Sequence, residues 1–259
     1  MNIIVCIKQV PNTTDVRIDP ETNTLIREGV ESVINPFDTY AIEEGIRLKE
    51  RFGGKVTVIT MGPPQAESSL REAVSLGADE GILISDRAFA GSDTWATSYT
   101  LSMAIRKIKD YDIIICGKQA SDGDTAQVGP GISAHLCIPQ VTYVKKIEEI
   151  SEKTAKFERM TEEGYEVIES PLPCLITVVK EINEPRLPSL KGKMKAKSAR
   201  IETLKAADLD CDPKAIGLEG SPTKVVKIFT PPPRGKGRIL QGDSAEMVDE
   251  LVDFLKGAI

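Results

Sequence analysis

Histidine is nearly absent from this chain: His135 stands alone in 259 residues. A Ser-His-Asp triad has only that residue to build on, and a multi-histidine metal site is excluded. Aromatic side chains are scarce as well, at 5% of the chain with a single tryptophan. Binders of single-stranded nucleic acid need stacking platforms, so this scarcity counts against them. The net charge of −6 counts against a general polyanion binder, and no nucleic-acid partner is expected. Apolar runs stay well short of the ~18 residues that cross a bilayer, so no membrane insertion is expected. The apolar opening Met1-Asn2-Ile3-Ile4-Val5-Cys6 lacks a basic n-region and meets Lys8 at once. It reads as a buried first strand rather than a signal peptide. The five cysteines, Cys6, Cys116, Cys137, Cys174 and Cys211, are odd in number and form no CxxC pair. They read as mostly buried free thiols of a reducing cytoplasm, without a metal site. The nucleotide fingerprints GxGxxG after the first strand, GxxxxGK[ST] and SGGxDS are missing too. An ordinary NAD dehydrogenase, a P-loop NTPase and an ATP pyrophosphatase are therefore disfavoured.

What is present is an alternation of short apolar runs with amphipathic stretches. Strands are expected at 2–8, 55–61, 81–85 and 112–116, with helices near 37–52, 65–76, 94–109 and 125–136. The strands are apolar throughout rather than alternating, which indicates an α/β fold with a parallel sheet covered by helices on both faces. A small hairpin is expected at 15–27. Residues 140–148, 155–161, 164–169 and 175–180 read as an antiparallel section. Residues 183–200 carry six basic side chains against Glu184, and 231–238 read as an extended basic linker. A C-terminal helix from about 244 starts at Asp243 and Glu246, spaced as a capping box. Met247, Val248, Leu251, Val252 and Leu255 line one face of it.

Open parallel sheets bind ligands at the C-terminal ends of their strands. The most informative such end is residues 117–129, which join a strand to a helix through glycines and small polar residues. Gly117 and Gly123 let backbone approach a ligand. Ser121, Thr125 and the first N–H groups of the helix suit phosphate oxygens. The same loop also fits a solvated connection with an acidic N-cap. Asp122 and Asp124 could hold Mg²⁺, although capping is the simpler role. His135, beside a helix end, reads as structural.

Several segments together resemble the β subunit of electron transfer flavoprotein. They are CIKQVP at the end of the first strand, INPFDTYAIEEGIRLKE at 34–50, VITMGPPQAESSLREAVSLGADE at 58–80, GKQASDGDTAQVGP at 117–130 and NEPRLPSLKGKMKAKSARIE at 183–202. They follow the family order over the first 202 residues or so. The resemblance implies a Rossmann-like domain and a heterodimer with an α subunit. It also implies an electron-transfer subunit of a flavin-based, NADH-dependent complex rather than an enzyme alone. Carried over by position, Cys6, Asn35 and Met61 would surround an adenosine. The loop Gly117-Lys118-Gln119-Ala120-Ser121-Asp122-Gly123-Asp124-Thr125-Ala126-Gln127-Val128 would wrap the phosphates.

In simple carriers of this family the nucleotide is AMP; in electron-bifurcating members it is a second FAD beside which NADH docks. Small residues at 123 and 126, and the stretch SDRAFAGSDT at 85–94, resemble the bifurcating members. FAD is therefore expected, with AMP the alternative and a stand-alone adenine-nucleotide module a third reading. Arg87 is a candidate for tuning the flavin. Residues 183–202 correspond to the family's docking loop for an acyl-CoA or related dehydrogenase. Leu190 holds the position of the apolar anchor, and Lys191, Lys193 and Met194 lie beside it. Ferredoxin is the further expected electron acceptor, and the cytoplasm the expected compartment. Two units are expected: a nucleotide-binding domain with its docking loop at 1–222, and an arm at 223–259 that packs on the α subunit.

Overall fold

The computed structural model describes residues 1–12, 32–226, 237 and 239–258. In chain order the strands are β1 (Asn2–Cys6), β2 (Gln9–Pro11), β3 (Ser32–Ile34), β4 (Lys55–Met61), β5 (Glu80–Ile84), β6 (Ile113–Gly117), β7 (Gln140–Ile150), β8 (Thr154–Met160), β9 (Tyr165–Pro171), β10 (Cys174–Val178) and β11 (Glu202–Leu204). The helices are α1 (Pro36–Phe52), α2 (Glu67–Leu76), α3 (Thr94–Ile108), α4 (Val128–Leu136), α5 (Leu190–Ser198) and α6 (Ser244–Ala258). The expected hairpin at 15–27 lies outside the described residues, as does nearly all of the linker at 231–238.

A nine-stranded sheet runs β11-β5-β4-β1-β6-β10-β7-β8-β9. The strands from β11 to β7 are parallel, and β8 and β9 continue from β7 as an antiparallel extension. Period-two alternation divides the apolar strands between two cores. Ile3 and Val5 face one core with Ala41, Ile42 and Ile46 of α1 and Leu70 and Ala73 of α2. Ile4 and Cys6 face the other with Leu101, Ala104 and Ile105 of α3 and Ile132 of α4. Burying each such isoleucine or leucine is worth about 2 kcal/mol. Helices on both faces and a mostly parallel sheet are the expected architecture.

Three expectations change. Residues 175–180 are not antiparallel: β10 inserts between β6 and β7, parallel to both. Its sequence CLITV is apolar without alternation and buried along its whole length. That is the pattern of a strand covered on both faces. The helix expected from 125 starts at Val128, because Asp124 and Ala126 have positive φ, 51° and 54°. The basic stretch contains α5, followed by β11 on the sheet edge. Cys6, Cys116 and Cys174 are buried, whereas Cys137 is exposed and Cys211 half-buried. Among the described residues no helix is long and apolar enough to cross a membrane.

Candidate functional site

The ends of β1 and β6 lie side by side, with Cys6 opposite Cys116 in register. The chain leaves β6 at Gly117 and enters α4 at Val128. Between them Ser121 to Thr125 are exposed, and the loop is shaped from within. Asn35 at the start of α1 donates its Nδ2 to the Gln119 carbonyl at 2.8 Å, and its Oδ1 accepts from the Ser121 N–H at 3.0 Å. That use of its side chain explains why Asn35 forms no side-chain cap on α1. The Asp124 N–H reaches the Ala120 carbonyl at 2.8 Å, and Gln119 donates to the Asp124 carboxylate. Across the cleft Lys8 grips Asp122 through both oxygens, at 2.6 and 2.7 Å.

Gln127 provides no side-chain cap to α4. The N–H groups of Val128 and Gly129 open the helix with its dipole behind them, while Pro130 has none and the Gly131 N–H bonds the Gln127 carbonyl at 2.9 Å. Asp124 and Ala126 in the left-handed region turn the loop toward that end of the helix. An anionic phosphate suits such a helix start. Ideal Cβ geometry at Gly123 meets nothing within 4 Å, so the rim is open there. The residues present fit a phosphate-bearing nucleotide.

Of the expected site residues, the structure brings Cys6, Asn35 and the 117–128 loop together at the C-terminal end of the sheet. Met61 ends β4, the strand next to β1, on the same sheet edge. Arg87 is exposed in the turn after β5, a strand that lies three positions from β6 in the sheet. The acids of the 85–94 stretch serve the chain beyond β11. Asp86 accepts from Ala206 N–H at 3.1 Å, and Asp93 accepts from Thr223 N–H and Oγ1 at 2.9 and 2.8 Å. His135 lies against the rings of Trp95 and Tyr99, at 4.5 and 5.5 Å between centroids. Burial, and then the nearby Arg106, hold its pKa below the ordinary histidine value.

Beside the expected residues, which include Lys118, the structure places Lys8, Tyr143 and Asp38, and sequence reasoning missed these three. Lys8 was visible only as part of the first strand end. Lys118 has its ammonium 5.6 Å from the Phe37 ring centre and 5.3 Å from that of Tyr143, within cation–π range. Tyr143 has φ 61°, and its N–H goes to Thr177 Oγ1 at 3.1 Å. Non-glycine residues in this region of backbone space cluster at functional sites. The third, Asp38, is buried beneath the loop. Burial pushes its carboxyl up to about 7, against the Lys8 N–H, the Asn35 side chain and the Gly117 N–H. The hydrogen bond with Cys6, then burial, raise Cys116 well above an ordinary thiol, so it is an inert packing group.

A second assembly lies along α1 and α2. Arg186 donates to Glu43 at 2.8 and 3.1 Å and to Glu50 at 2.6 and 3.0 Å. Asn183 donates to Glu44 at 2.9 Å and to the Tyr40 carbonyl at 3.0 Å. Burial raises Glu43, but Arg186 and Arg47 outweigh it and hold the carboxyl below its ordinary range. Ser189 caps α5 by accepting from the Gly192 N–H at 3.0 Å. Arg71 of α2 ties down the Ala196 and Ala199 carbonyls at 2.8 and 3.1 Å. So fixed, the segment turns Leu187, Leu190 and Met194 outward at 89%, 78% and 66% exposure. Lys191, Lys193 and Lys197 are exposed around them.

A profile described as the electron transfer flavoprotein domain matches residues 22–209. The chain belongs to the electron transfer flavoprotein family. It is 56% identical over 256 residues to an electron transfer flavoprotein subunit beta of Thermoanaerobacterium thermosaccharolyticum, covering 98% of both chains. A protein of the same name from Clostridium acetobutylicum is 51% identical over 256 residues, 99% of this chain and 98% of that one. Subunit CarD of the caffeyl-CoA reductase-Etf complex of Acetobacterium woodii is 50% identical over 258 residues, 99% of this chain and 98% of that one. This electron transfer flavoprotein chain is thus of the β-subunit type, from a flavin-linked family whose β subunits pair with an α subunit.

Proposed function

We propose that this β subunit binds FAD in the cleft between the ends of β1, β4 and β6. It accepts electrons from NADH and passes them to ferredoxin and to an acyl-CoA or related dehydrogenase, within a heterodimer in the cytoplasm. The observation that carries the nucleotide is the strained 117–127 loop leading into the uncapped start of α4. In this reading the N–H groups of that helix start, with Ser121 and Thr125, hold the phosphates. Cys6, Asn35 and Met61 line the adenosine. The open rim at Gly123 supports a ligand longer than AMP. When bound, the flavin supplies the one- and two-electron chemistry, and the chain supplies position and local charge. Lys118, near the Phe37 and Tyr143 rings, provides that charge.

In the same reading, Leu190 and its lysines dock the dehydrogenase. The arm from 223 onward lays the stripe of α6 on the α subunit; Val248, Leu251, Val252 and Leu255 are exposed there. The test is an anaerobic titration of the purified α–β complex with NADH. Bleaching of the flavin absorbance supports the bifurcating reading. A flavin that NADH leaves oxidised overturns it in favour of a simple carrier with AMP.

A further inference from the structure

Three pieces of backbone at the C-terminal end of the sheet meet at one carboxylate. Asp38, in the first turn of α1, is only 5% exposed. Its Oδ2 accepts from the Lys8 N–H, just beyond β1, at 2.7 Å. Its Oδ1 packs so closely on Gly117, at the end of β6, that a Cβ there would overlap it. The Gly117 backbone also acts against burial to lower the carboxyl's pKa. The Asp38 N–H goes to the Asn35 carbonyl at 2.8 Å, and Asn35 in turn holds Gln119 and Ser121. The start of the 117–128 loop, the loop after β1 and the start of α1 are therefore joined through this one side chain.

The charged and titratable groups facing it are few. The Lys8 ammonium comes from the loop after β1, but it is engaged by Asp122. Cys116 faces it from β6, bonded to Cys6 of β1. Burial without a committed cation raises the carboxyl to about 7. A proton on Asp38 turns an acceptor oxygen into a donor that faces backbone N–H groups, so one anchor of the cleft is lost.

We propose that Asp38 is a positioning residue for the nucleotide cleft, and that its protonation loosens the cleft and weakens nucleotide binding. This rests on the reading that the cleft holds a nucleotide. By linkage, nucleotide binding then expels the Asp38 proton.

The experiment uses the α–β complex stripped of nucleotide and titrated with FAD, whose phosphates do not titrate between about pH 6 and pH 8. Binding is expected to be about tenfold weaker at the lower end of that range, as for one linked proton on a group that titrates near 7 in the unbound complex. Calorimetry in two buffers of different ionisation enthalpy should show proton release near neutrality. Asp38→Asn should bind weakly with a flat pH profile and release no proton. If that variant does not fold, Asp38→Thr, which keeps one acceptor and cannot titrate, takes its place. A wild-type profile that is flat, or a variant that keeps the wild-type profile and proton release, overturns the assignment of Asp38 alone. If neither FAD nor AMP binds at any pH, the nucleotide reading falls and this inference falls with it.

Discussion

Two surfaces of this molecule hang from one helix and are built in opposite ways. At the N-terminal end of α1, Asn35 and Asp38 hold the cleft mainly through backbone partners. Farther along, Glu43, Glu44 and Glu50 hold the segment proposed for docking through the side chains of Arg186 and Asn183. In the cleft, bonds to backbone hold a loop whose residues 121–125 are exposed, with Asp122 paired to Lys8 and Asp124 to Gln119. On the docking segment, ion pairs absorb one guanidinium and leave apolar side chains turned outward. Each arrangement orders its surface before the ligand arrives, which reduces the entropy lost on binding. The difference teaches what each surface is suited to take: a small anion needing donors and close backbone approach, or a protein pocket needing an apolar anchor with positive charge around it.

The comparison can be broken from either side. The largest effect is expected from Gly117→Ala, because a Cβ there would overlap Asp38 and the Phe37 backbone. Overpacking of this kind costs about 3 kcal/mol. Thermal unfolding and bound nucleotide should both fall, while the chemically reduced complex still docks its dehydrogenase. Gly192→Ala is the mirror experiment. Its Cβ would overlap the Ser75 carbonyl of α2 and lift α5 away, at about 2 kcal/mol. Dehydrogenase reduction should fall with nucleotide content unchanged.

Arg186→Ala leaves the buried Glu43 with Arg47 as its remaining partner, and about 2 kcal/mol is expected in urea unfolding. The pH dependence has a definite sign. Glu43 sits below its ordinary range, so its contribution is present above that range and is lost as acid protonates it in the folded chain. The variant should show a smaller loss, since Arg47 still pairs with Glu43. Asp38 runs the other way: its contribution is full below the ordinary aspartate pKa and fades as pH rises through about 7. The smallest stability change, within about 0.5 kcal/mol, is expected for Leu190→Ala, since the side chain is exposed. Stopped-flow reduction of the dehydrogenase should nonetheless slow about tenfold or more if this is the anchor.

Much of the fold was legible because strands buried on both faces announce themselves. The runs IIVC and IIIC contain nothing charged or polar beyond a thiol, KVTVITM adds only Lys55 at its start and two β-branched threonines, and all three became central parallel strands. The same rule, applied to CLITV, would have placed β10 in the parallel sheet. Proximity in sequence to the polar hairpin of β8 and β9 pointed the wrong way. Helix α5 was hidden because Ala196 is its only buried residue, so its sequence carries no apolar period. Its stability comes from Arg71, Lys195 and the Ser189 cap, which are tertiary or local bonds. The 117–128 loop was legible as glycine and small polar residues after a strand. Asp38 was not. An acid in the first turn of a helix ordinarily complements the dipole in solvent. Only the packing of α1 on Gly117 shows that this one is buried.

The most direct test of the account is a count of nucleotides released by denaturing the purified α–β complex. The account predicts two FAD per heterodimer and no AMP, with one FAD lost in Gly117→Ala. One FAD and one AMP per wild-type heterodimer would contradict it.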